Sequence, residues 1–265
     1  MSKLAPLLFL LLTDLVWSQS LRDLSGSGQL PAIDRLTFTA TARWDPELLA
    51  WVKHKPDYLP RNWKQVIVLP APPDNSSVRT RAELANLKEK IKDRPGRTAA
   101  IKNELELKNF KFGQLTYGDL TSRKDLAHTG ELVRSMYHSV SCAVFVMKHH
   151  FNRPRPTVVA ARLGIDLEAS IPNPGHPAYP SGHATGAYAI AYLLRELDPA
   201  HADDYPGDAA RIAENREIAG VHYPSDSEAG RLLARQLIDA FLRNRSFRAK
   251  LDKARREWPV SSRPK

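Results

Sequence analysis

The chain has 265 residues, 42% hydrophobic and 26% charged, a balance that argues against a disordered or fibrous protein and is enough for one sizeable core. Its formal charge of +10 favours an anionic partner, without choosing among nucleic acid, an acidic membrane surface and a phosphorylated small molecule. The single cysteine, Cys142, excludes an intramolecular disulfide, and its apolar neighbours mark it as a buried small hydrophobe.

In chain order, Lys3 precedes an apolar run from Leu4 to Leu12, and Ser18-Gln19-Ser20 offers small residues at a cleavage spacing. This predicts a secretory signal peptide over residues 1–20 and a periplasmic or secreted protein. Asp14 interrupts the apolar region and leaves a short uncleaved anchor or an ordinary first helix open. No other run reaches the ~18 apolar residues a membrane span requires, so the mature chain is expected to be soluble. Residues 21–76 are punctuated by prolines and predict an irregular segment laid over the core.

From Ser77 to Lys92, Leu84, Leu87 and Ile91 recur at helical spacing, and Pro95-Gly96 is expected to stop that helix. A second helix is predicted from Thr98 to Leu107. The longest helical pattern runs from about Ser122 to His150, with Val140–Met147 apolar nearly all round, as in a central buried helix. A proline-rich loop is expected from Pro154 to Pro180. Further helices are predicted from Ser181 to Glu196 and from Asp208 to Ala219, the latter closing at Gly220. The last begins with Ser225 as N-cap and continues past Phe241. Strand patterns are scarce. The prediction is an all-α, single-domain helical bundle over residues 77–265.

Three segments carry candidate chemistry. Pro180-Ser181-Gly182-His183 stands where a loop enters a helix, and unpaired N–H groups there favour an anion. Ser181 can cap or donate, Gly182 allows close backbone approach, and His183 sits in the first turn. Lys148 ends a helix and Arg155 follows seven residues later, a point charge and a planar fork suited to phosphoryl oxygens. Arg216 lies on one helix, His222 in the following turn and Asp226 at the next helix start. A carboxylate four residues after the histidine can accept the hydrogen bond from Nδ1–H, fixing the tautomer that leaves Nε2 free as a nucleophile. Each segment alone also describes ordinary caps and a basic helix end. His149 and His150 point in different directions on one helix and have no acidic or cysteine partner at ligand spacing, so no metal site is expected.

Taken together, K-x6-R-P, P-S-G-H and R-x5-H-x3-D resemble the signature shared by type 2 phosphatidic acid phosphatases and vanadium-dependent haloperoxidases. Leu69-Pro70-Ala71-Pro72-Pro73-Asp74-Asn75-Ser76 and the helix after it are most similar to bacterial class A non-specific acid phosphatases. The departure is Asn215, where the pattern has serine. The resemblance implies a helical fold of that type and a metal- and cofactor-independent phosphomonoester hydrolase working through a phosphohistidine. It implies His222 as nucleophile, Asp226 as its orienting group and His183 as general acid. Lys148, Arg155, Ser181, Gly182 and Arg216 would hold the phosphate. A bell-shaped pH profile with an acidic to near-neutral optimum is then expected, with inhibition by phosphate or vanadate. The competing readings are a vanadium-dependent haloperoxidase and a non-enzymatic phosphate-binding protein. The expected partner is a small phosphorylated substrate, not nucleic acid, because the basic stretch from Arg243 to Arg256 reads as a solvated helix face, and no membrane span is expected. A homo-oligomer and the identity of the phosphomonoester are left open.

Overall fold

The computed structural model describes residues 32–258, so the expected signal peptide lies outside the described residues. Their order is α1 (Pro46–Ala50), α2 (Trp63–Val66), α3 (Val78–Lys90), α4 (Arg94–Asn103), a hairpin of β1 (Lys111–Phe112) and β2 (Leu115–Thr116), then α5 (Tyr117–Ser122). There follow α6 (Ala127–Phe151), α7 (Pro156–Arg162), α8 (Gly182–Leu197), α9 (Tyr205–Ile218), α10 (Pro224–Arg243) and α11 (Arg245–Ala254). The two-residue hairpin pairs Lys111 with Thr116 and Phe112 with Leu115, antiparallel. Among the described residues it is the whole of the sheet structure, so the fold is all-α. No described helix is long and apolar enough to cross a membrane.

The central helix is α8, not the Val140–Met147 end of α6. Ala184, Ala187, Ala189, Ile190, Ala191 and Leu194 are fully buried, and α8 packs on α6, α9 and α10. Its small residues let neighbours come close on every side. On α6, Ser141, Phe145 and Val146 are half-buried, because that end of the helix borders a cavity and a groove. A tight approach is at Gly230 of α10, where a Cβ would lie 2.8 Å from both Ala184 Cβ and Ser181 O. Cys142 is buried as expected.

Several boundaries differ from the sequence expectation. Pro95 ends no helix by itself; it occupies the first turn of α4, where its missing N–H costs nothing, and α4 closes at Asn103, before Leu107. The long helix starts at Ala127, after a 3-10 turn over Lys124–Leu126. The expected loop after Pro154 contains α7, again with proline in the first turn. Tyr223, not Ser225, is the N-cap of α10. The basic C-terminal stretch forms α11, whose Phe247, Leu251 and Ala254 are buried beneath a charged outer face.

The described residues before α3, from 32 onward, contain no helix longer than five residues, and they fix the end of α6. Asn152 takes the left-handed conformation (φ 50°) as the C-cap of α6. Its carbonyl accepts the Phe38 N–H at 2.8 Å, and its side-chain amide donates to Thr39 Oγ1 at 2.7 Å. That clamp sets where Lys148, one turn earlier, and the chain after Asn152 must go.

Candidate active site

Lys148 lies in the last turn of α6 and is fully buried. Its Nζ donates to the carbonyls of Pro177 (2.7 Å) and Ala178 (3.2 Å). Burial, with the charge of Arg155 adding to it and Asp226 opposing, pulls its pKa well below the ordinary lysine value. Arg155, the N-cap residue of α7, is 1% exposed. Its Nη1 donates to Val221 O at 2.7 Å and lies 3.1 Å from His222 Nε2. Its Nη2 donates to His176 O and lies 3.1 Å from His176 Nδ1. Burial pushes the Arg155 pKa down to about 10.

The contact with Arg155 fixes the state of His222. A guanidinium only donates, so Nε2 must accept and the ring proton sits on Nδ1. Nδ1 then donates to Asp226 Oδ2 at 3.1 Å. This is the tautomer expected from the four-residue spacing. Burial, then Arg155, hold the His222 pKa well below 6.5 against the opposing pull of Asp226, so the ring is neutral near pH 7.

Asp226 is the hub. Oδ2 also accepts the Tyr223 N–H at 3.0 Å, and Oδ1 accepts Arg153 Nη1 at 2.6 Å. Burial alone would raise its pKa, but Arg153, the bond from His222 and the Tyr223 N–H together hold it below the usual carboxylate range. Its backbone carbonyl accepts the Ser181 N–H at 2.9 Å, which joins the start of α10 to the start of α8.

Ser181 caps α8, accepting the Ala184 N–H at 3.3 Å. A Cβ on Gly182 would make ordinary contacts, 3.6 Å from Val144 and 3.8 Å from Lys148. Packing of the protein alone therefore does not require glycine there. His183 Nε2 lies 3.1 Å from Glu104 O and donates to it, since a carbonyl only accepts. Burial, then Arg216 and the other cations, push the His183 pKa down to about 3.

Arg216, near the end of α9, is 1% exposed. Its Nη2 donates to Ile101 O (2.9 Å) and Glu104 Oε2 (3.0 Å). Its Nε and Nη1 are buried with no hydrogen-bond partner in the protein. Asn215, standing where the pattern has serine, donates through Nδ2 to both Glu104 oxygens at 2.9 and 3.0 Å. Its hydrogen bonds thus go to the carboxylate beside Arg216. Burial raises the Glu104 pKa, against the pull of Asn215 and Arg216.

Lys148, Gly182 and His183 border one cavity of about 180 Å³. Arg155, Ser181, Arg216, His222 and Asp226 are buried and do not form its wall. Three cations act together on His183: Arg216, Lys148 and Arg155 each lower its pKa. The arrangement is a buried cationic cradle next to a neutral, oriented imidazole. Among the described residues, no group of three or more His, Cys, Asp or Glu is placed to hold a metal ion; His149 and His150 are exposed.

Sequence reasoning missed several participants. Arg153 is buried, its guanidinium 3.7 Å from the Tyr223 ring centroid, with Nη2 3.3 Å from Glu83 Oε2. Glu83 also accepts the Ser225 N–H (3.0 Å) and Oγ–H (2.8 Å). The signal for Glu83 was its register: Thr80, Glu83, Leu84 and Leu87 form one buried stripe of α3, and an acid on such a stripe needs a partner. Arg153 stood in the same Arg-Pro-Arg-Pro run as Arg155. Glu104 and His176 carried no pattern.

Residues 132–248 match the family model described as the PAP2 superfamily. An acid phosphatase of Zymomonas mobilis is 30% identical over 140 residues, covering 50% of this chain and 50% of that protein. A non-specific acid phosphatase of Providencia stuartii is 32% identical over 81 residues, 31% of this chain and 33% of that one. The chain thus spans about half the length, or less, of these curated relatives. The crystal structure of a bacterial vanadium-dependent iodoperoxidase superposes with a TM-score of 0.58 at 17% identity, covering 85% of this chain and 64% of that one. That likeness is one of fold.

Proposed function

We propose that the chain, whose residues 132–248 match the PAP2 superfamily model, is a phosphomonoester hydrolase of the acid phosphatase type, acting through a phosphohistidine on His222. The observation that carries the reading is Arg216: two buried donor nitrogens without partners in the protein, on a guanidinium whose charge acts on His183. Unpaired buried donors are costly, and a dianionic phosphoryl group would satisfy them. Simple anion binding has no use for an Asp226-oriented His222.

In this reading the phosphoryl oxygens take donors from Lys148, Arg155 and Arg216, and from the α8 N-terminus at Ser181 and Gly182. The Nε2 lone pair of His222 attacks phosphorus in line, the N–P bond forms, and the ester P–O bond breaks. Asp226 stabilises the charge that develops on the ring. The leaving oxygen takes its proton from His183, which acquires it as the phosphate charge opposes the neighbouring cations. Water then attacks phosphorus, gives a proton to His183 and returns the electron pair to His222. Positive side chains do here what metal ions do in other phosphatases.

The N-terminal apolar run supports export of the chain to the periplasm or medium; cell fractionation of the full-length protein tests this. The test of the function is a panel of phosphomonoesters assayed with chelator, then with vanadate. Turnover that survives chelation and is blocked by vanadate supports the reading; chelator-sensitive turnover, or none on any ester, overturns it. Addition of vanadate, peroxide and iodide in the same assay separates a haloperoxidase.

A further inference from the structure

The cavity beside His183 has walls that the phosphate cradle does not need. One wall is α6, through Tyr137, Val140, Val144 and Phe145; the other is the segment after α4, through Leu107 and Phe110. Phe110 lies 5.4 Å from His183, ring centroid to ring centroid and tilted by 38°. Phe145 meets the His176 ring edge-on at 5.6 Å. Tyr137 is seated against Gly186, one turn beyond His183, where a Cβ would lie 2.8 Å from its ring. The space is therefore bordered by flat rings on several sides, and Lys148, His176 and His183 also line it.

The chemistry of the lining restricts the occupant, and the volume suits a single ring. A cavity of about 150 Å³ with apolar walls holds one benzene ring, and this one measures about 180 Å³. No carboxylate borders it while Lys148 does, which disfavours a cationic amino alcohol. Apart from the site residues, its side-chain hydroxyls are those of Tyr137 and Ser141, too few to pair the hydroxyls of a sugar or polyol, and burying unpaired hydroxyls is costly. Aromatic side chains around a ring favour offset and edge-on contacts.

We propose that this cavity seats the leaving group and that the substrates are aryl phosphate monoesters, one aromatic ring carrying the phosphoryl group. The proposal rests on the phosphatase reading above. The ring sits between α6 and the Leu107–Phe110 segment, its ester oxygen toward His183. When the P–O bond breaks, that oxygen keeps the electron pair, takes the His183 proton and departs as a phenol.

Phosphonates, whose C–P bond is not cleaved, separate binding of the ring from reactivity of the ester. Calorimetric titration of the full chain with inorganic phosphate, methylphosphonate, phenylphosphonate and hexylphosphonate tests the proposal. Phenylphosphonate is expected to bind at least about tenfold tighter than methylphosphonate, for a ring moved out of water. Leu107→Asn is expected to shrink that ratio severalfold. Equal affinities for phenyl- and methylphosphonate, or a hexyl chain preferred over the ring, would overturn it. Failure of inorganic phosphate itself to bind would instead sink the phosphatase reading, and the proposal with it.

Discussion

Arg153 Nη1 donates to Asp226 Oδ1 at 2.6 Å, on the far side of the carboxylate from the His222 imidazole. The same Nη1 donates to Ser225 Oγ at 2.8 Å. The proposed nucleophile is thus held at third hand: Glu83 of α3 faces Arg153, Arg153 faces Asp226, and Asp226 faces His222. Glu83 lies outside residues 132–248, so the segment that precedes the family match takes part in orienting its histidine.

Replacing Arg153 with methionine should leave two buried carboxylates without their cation. Breaking a buried pair of this kind costs about 3–5 kcal/mol, measured by chemical denaturation. With that positive charge gone, the pKa values of Asp226 and His222 both rise. Since His222 must be neutral to attack, the acid limb of the kcat/KM profile should move to higher pH. Arg153→Lys should restore part of the stability and move the limb back. An unshifted limb in the methionine variant would mean that Arg153 is structural alone.

Glu104 sets how much positive charge Arg216 offers an anion. With Glu104→Gln the carboxylate 3.0 Å from Arg216 becomes neutral while an oxygen acceptor stays in place. Inorganic phosphate should bind about fivefold tighter or more, and the fold should lose about 1–3 kcal/mol. Titration calorimetry and denaturation read the two effects separately. Weaker phosphate binding would show that Arg216 does not reach the anion.

The histidines of the site make stability depend on pH with a definite sign. His183 is held down to about 3 by burial and by Arg216, and burial depresses His222 and His176 in the same direction. Below about 6.5 the unfolded chain takes up protons that the folded chain resists. Stability should therefore be full above that pH and fall as pH drops toward 3. Phosphate in the cradle raises the His183 pKa, so binding should take up a proton. The loss of Tm between pH 7 and pH 4.5 should be smaller with phosphate present, and the binding heat should vary with the ionisation enthalpy of the buffer. A buffer-independent heat would contradict the assignment of His183.

Gly230→Ala probes the junction of α8 and α10. The added Cβ meets backbone, Ser181 O at 2.8 Å and Thr185 N at 3.0 Å, so the N-terminus of α8 must shift. A loss of about 1–3 kcal/mol in stability is expected, with a larger proportional fall in kcat than in the affinity for phosphate. Unchanged kcat would show that the Ser181–His183 turn tolerates displacement.

The helical repeats and the local spacing of charged residues were legible in the sequence. The three- and four-residue spacing of Leu84, Leu87 and Ile91 and the turn at Gly220, where φ is +80°, read directly, and so did the His222–Asp226 bond, because a four-residue spacing across a helix start brings the two together. Element ends were less legible wherever proline stood, since Pro95 and Pro156 serve equally as stop and as first-turn residue. The central helix was misplaced because Ala189 and Ala191 carry little hydrophobic signal, although smallness is what let α8 pack on all sides. Glu104 and His176 were invisible because their partners, Arg216 and Arg155, are distant in sequence. The contact between His183 and the Glu104 carbonyl, like the aromatic walls of the cavity, depends on how α4 and α6 close around α8. No local pattern records that packing.

The central claim is covalent chemistry at His222. The direct measurement is a rapid quench of the chain with radiolabelled substrate under neutral to alkaline conditions, which preserve a phosphoramidate, followed by mass spectrometry of the peptides. The account predicts one transient phosphoryl group on His222, absent in His222→Ala, a variant that should still bind phosphate. A label on another residue, or turnover at the wild-type rate in His222→Ala, would contradict it.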